Sequence, residues 1–252
     1  MMDYSDLTRS LCAVSLITLM AGTTNAIADL DEAPVISMSV SGDGQDDWWG
    51  YDFDTSEFGE TSGSGSFFEY EGQTTWDECD VDWWHDLEVD PGLGFGFSVT
   101  NNQSFTENFS LVAEVTVPGW SDGTLLGASL SGSLTDTNFD GNATLAGEPS
   151  GLLSALLDGF VQLEVGQDVN ASVDIIGGST SLGNYQEGLG PDGPTIVGPQ
   201  VTNGVLRIEI DFALSAGDTA SFTGGYVVGY VPAPGALALM GLAGLTGRRR
   251  RA

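Results

Sequence analysis

The chain has no lysine, one histidine and two cysteines among its 252 residues. Its six basic residues are all arginine: Arg9, Arg207 and the terminal block Arg248 to Arg251. Against them stand 36 acids, of which only Asp3 and Asp6 lie outside residues 29–230. That stretch therefore sets 34 carboxylates against Arg207 alone. Such a surface repels nucleic acid and anionic membranes. It attracts cations, above all divalent ones that take oxygen ligands; a solvated acidic coat suited to saline surroundings accounts for the same composition. His85, being single, cannot build a zinc site, which needs several nitrogen or sulfur ligands. Cys79 is the only cysteine within 29–230, so no intramolecular disulfide forms there. It is either a buried thiol or an intermolecular crosslink. No recognisable motif pairs a nucleophilic serine with His85, G-x-S-x-G is absent, and no glycine-rich phosphate loop opens a helix. The chain reads as a non-enzyme.

Uncharged apolar runs are confined to the two ends. Leu11 to Gly22 is apolar and of signal-peptide length, and Ala26-Ile27-Ala28 supplies a small-x-small cleavage site, so cleavage is expected after Ala28. Asp3 and Asp6 ahead of Arg9 depart from the positive segment that usually opens such a signal. Cys12 stands at the start of the apolar run and away from the cleavage site, which argues against a lipoprotein signal. At the other end, Val231-Pro232-Ala233-Pro234 breaks any ladder or helix. Thirteen uncharged residues, Gly235 to Gly247, then precede Arg248-Arg249-Arg250-Arg251. As a helix those thirteen would be about 20 Å long at 1.5 Å per residue. That is short of the roughly 30 Å hydrocarbon core, so the segment is marginal as a permanent transmembrane helix. The four arginines would stay on the cytoplasmic side, leaving everything before Val231 outside.

This order of parts resembles the PEP-CTERM sorting signal of Gram-negative bacteria, with Ala233 where the family most often has Glu. The resemblance covers about the last twenty residues. It implies processing at the inner membrane by an exosortase-like protease and delivery to the cell surface or the exopolysaccharide. The chain then divides into a signal peptide (1–28), an acidic ectodomain (29–230) and a sorting segment (231–252). The spans Phe97 to Val117 and Ile208 to Tyr230 look like the β-sandwich ectodomains that often precede such tails. Phe212 to Phe222 is similar to their closing hairpin.

Within 29–230 the dominant signal is alternation of apolar and polar residues, the mark of half-buried strands. It runs through Ile36-Met38-Val40, Trp49-Tyr51-Phe53, Leu93-Phe95-Phe97-Val99, Phe109 to Val117, Leu126 to Leu134 and Leu206 to Leu214. Thr219 to Tyr230 is the last strand. Arg207 falls on the solvent side beside acids, where a weak ion pair is expected. Leu152, Leu153, Leu156, Leu157 and Phe160 have helical spacing and predict one short helix, with Ser150 as its cap. Gly177 to Pro199, with seven glycines and three prolines, reads as a loop. A 41% apolar and 10% aromatic content permits a core, and 36 glycines imply many turns. The expected fold is all-β: an antiparallel β-sandwich, jelly-roll-like or immunoglobulin-like.

Three constellations invite a functional reading. Asp136-Thr137-Asn138-Phe139-Asp140-Gly141 matches the first half of a calcium loop, with oxygen donors Asp136, Asn138 and Asp140 at alternate positions. The twelfth position, which should hold a bidentate Glu, is Gly147, and Glu148 follows one residue late. The alternative is a hairpin turn between strands at Leu134 and Ala143. An acidic run from Asp77 to Asp90, interleaved with Trp76, Trp83, Trp84 and His85, is either an acidic edge or a cation site. Finally, Trp48-Trp49 and Trp83-Trp84 are adjacent pairs, and neighbours on a strand point to opposite faces. One of each pair can therefore cap the core while the other stands free to stack on a sugar. Three functions stay open: a non-enzymatic surface or matrix protein associated with exopolysaccharide, a lectin-like module using those tryptophans, and a secreted glycoside hydrolase whose two carboxylates cannot be singled out among so many.

Overall fold

A computed structural model describes residues 34–43, 48–64, 67–88, 92–116, 120–191, 193–201 and 204–230. The signal segment with Ala26 and Ala28, and the sorting segment from Val231 to Arg251, lie outside the described residues. The strands in chain order are β1 (Ile36–Asp43), β2 (Trp48–Asp54), β3 (Gly59–Ser64), β4 (Phe67–Thr75), β5 (Cys79–Glu88), β6 (Gly92–Asn101), β7 (Glu107–Thr116), β8 (Trp120–Thr135), β9 (Ala143–Gly147), β10 (Leu153–Leu157), β11 (Phe160–Val165), β12 (Asn170–Val173), β13 (Ser179–Glu187), β14 (Leu189–Gly190), β15 (Gly193–Pro194), β16 (Ile196–Val201), β17 (Val205–Leu214) and β18 (Thr219–Tyr230). One helical turn, α1 (Thr55–Phe58), follows β2.

Sixteen of the strands form two eight-stranded antiparallel sheets, and β14 and β15 pair as a separate two-stranded ribbon. In the first the order is β11-β10-β17-β7-β1-β2, with β9 joined to β17 and β12 to β9. In the second it is β13-β8-β18-β6-β5-β4-β3, with β16 joined to β8. Alternation sets the layers. On β17 the residues Leu206, Ile208, Ile210, Phe212 and Leu214 are buried, while Arg207, Glu209, Asp211 and Ala213 are half-exposed between them. The inner faces meet across one apolar layer, as Phe212 on β17 against Phe222 on β18 shows, with ring centroids 4.8 Å apart. Phe53 on β2 similarly meets Trp83 on β5. Fully burying side chains of this size contributes about 1.5–3 kcal/mol each. Cys79 is a buried thiol, and burial pushes it up to about 12. Arg207 sits between Glu114 across the ladder, at 3.7 Å, and Glu209 on its own strand.

Four local expectations are overturned. Leu152 to Phe160 is no helix: Leu153–Leu157 and Phe160–Val165 are a hairpin, turned by Asp158 and Gly159 with φ of 51° and 81°. Two central residues with positive φ make the turn whose twist matches paired strands. Much of the stretch read as a loop from Gly177 to Pro199 is strand, chiefly β13 along β8 with a register shift at Gly183. Asp136–Gly141 is not a hairpin turn. It carries the chain from β8 in the second sheet to β9 in the first. Likewise β17 and β18, expected as a closing hairpin, belong to different sheets and are joined by an arch at 215–218.

Registers define two poles. At one, β17 ends at Leu214 opposite Glu107, and β18 begins at Thr219 opposite Thr100 and Thr135. At the other, β1 begins at Ile36 opposite Val115, and β18 ends at Tyr230 opposite Thr124. Ile36 and Tyr230 therefore lie at the same pole.

His85 is fully buried, with Nε2 3.3 Å from Met38 Sδ and its ring edge-on to Phe97. Burial lowers its pKa to about 3, against a weaker upward pull from the Gly94 backbone. The unfolded chain binds a proton near pH 6.5 that the folded chain refuses. Stability is therefore lost as pH falls from about 6.5 towards 3. Denaturant unfolding at pH 7 and pH 4.5 checks this. The wild-type chain should lose about 2–3 kcal/mol more across that interval than His85→Leu. Equal losses would mean that His85 is not held neutral in the core.

Candidate functional site

Strand β5 splits its two tryptophans. Cys79, Val81, Trp83, His85 and Leu87 turn inward; Asp80, Asp82, Trp84, Asp86 and Glu88 turn outward. Trp83 is buried in the core, whereas Trp84 is 39% exposed. The antiparallel register then lays outward residues in rows across the second sheet. One row runs Glu71, Trp84, Gly96, Thr223, Ser131, Asn184. The next runs Gln73, Asp82, Ser98, Ser221, Ser133, Ser181. On the other side lie Glu69, Asp86, Gly94, Gly225, Ser129 and Gln186.

Glycine lets the indole lie down on this face. A Cβ at Gly96 would stand 2.0 Å from Trp84 Nε1 and 2.4 Å from Cε2, so the ring lies over the backbone of β6. The result is a low surface of small hydroxyl and glycine positions with one aromatic plate and a border of carboxylates. Its hydroxyls pair across strands, as in Ser98 with Ser221 at 3.0 Å and Thr100 with Thr219 at 2.8 Å. An aromatic plate beside fixed hydroxyls and carboxylates suits a pyranose, whose ring faces are apolar and whose rim donates and accepts hydrogen bonds. Burial, with Glu69 nearby, holds the Asp86 carboxyl above its ordinary range.

The other pair also splits. Trp48 is 73% exposed on the edge strand β2 and lies over Gly50. Trp49 packs against the core, edge-on to Phe109, and its Nε1 donates to Glu107 Oε1 at 3.1 Å. Trp48 and Trp84 stand on the outer faces of opposite sheets and cannot share one ligand. Trp76, which the sequence did not set apart, stacks on Tyr51 with centroids 4.6 Å apart and 6° between planes. Tyr51 donates to Glu78 Oε2 at 2.6 Å, which pushes its phenol up to about 12. Glu107 is buried, and that burial holds its carboxyl above the usual range.

The half-motif at 136–141 is a chain of side-chain-to-backbone turns. Asp136 Oδ2 accepts the N–H groups of Gly141 and Gly177, at 3.0 and 2.8 Å. Asn138 Oδ1 accepts Asp140 N–H, and Asp140 Oδ1 accepts Asn142 N–H, both at 2.8 Å. These oxygens satisfy the loop's own amides. Among the described residues, no three His, Cys, Asp or Glu side chains are gathered to hold a metal by themselves. Glu148 is exposed. The sequence reading missed Asp218, which is buried beside this loop and accepts from Ser215 Oγ.

No family model matches the chain, and none of the curated proteins compared with it is similar to it.

The Gly96–Trp84 contact makes a direct prediction. Gly96→Val should force the indole off the sheet, raising acrylamide quenching of tryptophan fluorescence at a cost of about 1–3 kcal/mol in stability. A variant with unchanged quenching would show that Trp84 does not rest on Gly96.

Proposed function

We propose that the chain is an exported, non-enzymatic surface or matrix protein whose β-sandwich holds exopolysaccharide on the outer face of the second sheet. The observation that carries the reading is the plate of Trp84 over Gly96, set in registered rows of hydroxyls and carboxylates. Trp84 stacks on a sugar ring; Glu71, its direct cross-strand partner, and then Asp82, Ser98 and Thr223 are the polar groups around it in register. With 34 carboxylates against one arginine, a neutral polysaccharide is favoured over an acidic one. Trp48, alone on the opposite face, offers a second stacking position and makes the module bivalent. Avidity from two weak sites suits attachment within a matrix.

The tail supports the cellular half of the reading. Val231 to Pro234, the apolar stretch and Arg248 to Arg251 would hold the chain at the inner membrane until an exosortase-like protease processes it. Ile36 and Tyr230 lie at one pole, so a tether attached there would leave the two sheet faces free.

Affinity electrophoresis of the native protein through gels of neutral and acidic polysaccharides tests the binding. Retardation by a neutral polymer should weaken tenfold or more in Trp84→Ala, equivalent to about 1.4 kcal/mol. Asp82→Asn should weaken it less. No retardation of the wild-type chain would remove the sugar-binding role, and retardation that survives both Trp84→Ala and Trp48→Ala would remove these tryptophans from it. Mass spectrometry of the two ends tests export: the mature chain should begin at Asp29 and lack Arg248 to Arg251. An intact chain in the cytosol would sink that half.

A further inference from the structure

We propose that Asp136 and Asp218 form the floor of a calcium site at the pole opposite the chain ends. In it Asp218 takes the place that the missing twelfth-position acid of the loop would fill. The proposal is independent of the sugar-binding reading.

The register brings the two acids together. Thr135 on β8 and Thr219 on β18 are directly paired in antiparallel strands. The next step outward along both strands therefore sets Asp136 opposite Asp218. Opposed residues of such a pair have Cβ atoms about 4.5–5.5 Å apart. Alternation turns both inward, since the threonines lie on the outer face. Asp136 is 1% exposed and Asp218 is 0% exposed.

Each carboxylate keeps one oxygen anchored and one without a hydrogen-bond partner. Asp136 Oδ2 takes the amides of Gly141 and Gly177, and Asp218 Oδ2 takes the Ser215 hydroxyl. Oδ1 of each is buried and unpartnered. The Thr137 backbone N–H, on the residue after Asp136, also acts on Asp218, and Asp140 adds negative charge at the rim. Burial first, and then Asp136 and Asp140, hold the Asp218 carboxyl above its ordinary range.

Two buried carboxylates facing each other destabilise a fold unless a positive charge offsets them. Among the described residues no side chain supplies it. The chain contains no lysine, Arg207 is engaged by Glu114 and Glu209 on the outer face of the first sheet, and His85 is held neutral in the core. What remains is a proton or a metal ion. The ligand set is oxygen only and irregular, which suits calcium, since calcium accepts carboxylates, carbonyls and water in flexible numbers. Magnesium demands a near-ideal octahedron. An ion here would tie together the 136–142, 174–178 and 215–218 segments, which come from both sheets.

The test uses the full-length protein, stripped with chelator and titrated with calcium chloride in sodium chloride at about 0.15 M, the physiological ionic strength. Calorimetry should find one saturable site per chain with Kd on the order of 10⁻⁴ to 10⁻³ M. The thermal midpoint should rise by several degrees at about 5 mM calcium, as binding to the folded state alone requires. Sodium chloride of equal ionic strength should not reproduce the rise. Asp218→Asn, which keeps an acceptor for Ser215, should weaken binding tenfold or more. Glu187→Gln, an exposed acid on β13, should leave it unchanged. A midpoint indifferent to calcium overturns the proposal, as does an Asp218→Asn chain that responds as fully as the wild type. A midpoint that rises in Asp218→Asn while calcium does nothing also overturns it and assigns the pair to a shared proton.

Discussion

Repulsion among 34 carboxylates is opposed here by a single apolar layer between two sheets. Everything else in the fold follows from keeping charge out of that layer. Period-two alternation does this strand by strand: on β5, three aspartates and a glutamate turn outward while Val81, Trp83 and Leu87 turn in. With one arginine in the body, the surface cannot neutralise itself by ion pairs, and the two that Arg207 makes are worth little. Solvation and salt must carry the surface charge. The few acids that do enter the interior, Glu107, Asp136 and Asp218, are therefore costly and stand out. Each lies at the pole away from the chain ends, where the ladders finish and backbone amides are free to donate.

The class of fold was legible because alternation survives on β1, β6, β7 and β17, where one face is wet. Where that condition fails, the pattern misleads. On β10 the residues Leu153, Ala155, Leu156 and Leu157 are all buried, and the ladder slips between Ala155 and Leu156. A bulge in a doubly covered strand spaces leucines as a helix would. The Asp158-Gly159 dipeptide between them was the stronger signal, since few residue pairs accept two positive φ angles so readily. On β13 the opposite holds. Its serines, glycine and threonine have too little apolar content to register as a strand, yet they pair with a partner equally small, so the sheet closes over them.

Sheet membership was the other hidden quantity. Alternation says which residues face inward but not which sheet they face from. Both Asp136–Gly141 and Ser215–Asp218 look like tight turns and are crossings between layers. That is why Asp218 escaped notice as a neighbour of Asp136, 82 positions earlier by the numbering. The tryptophans were half legible for the same reason. That each adjacent pair divides between core and surface follows from one strand alone. That Trp84 lies on Gly96, and Trp48 on Gly50, depends on cross-strand register and on lean along the sheet.

Glycine has two separate uses in this sheet, and the difference bears on what the face can do. At Gly183, with φ of 103°, it permits a backbone that other residues resist. At Gly96 no positive φ is involved; the missing Cβ makes room for an indole. A bulky residue at 96 would stand the ring upright, where its edge rather than its face met solvent. Laid flat in the middle of the sheet, the ring shows its face outward and its Nε1 towards β6. Flanking hydroxyls are held by cross-strand bonds rather than left to rotate, so little entropy is lost when a ligand orders them. A surface of fixed small donors around one fixed ring is pre-organised for a rigid, hydroxyl-rich ligand. It is poorly suited to a peptide, which would need an apolar pocket or a free strand edge.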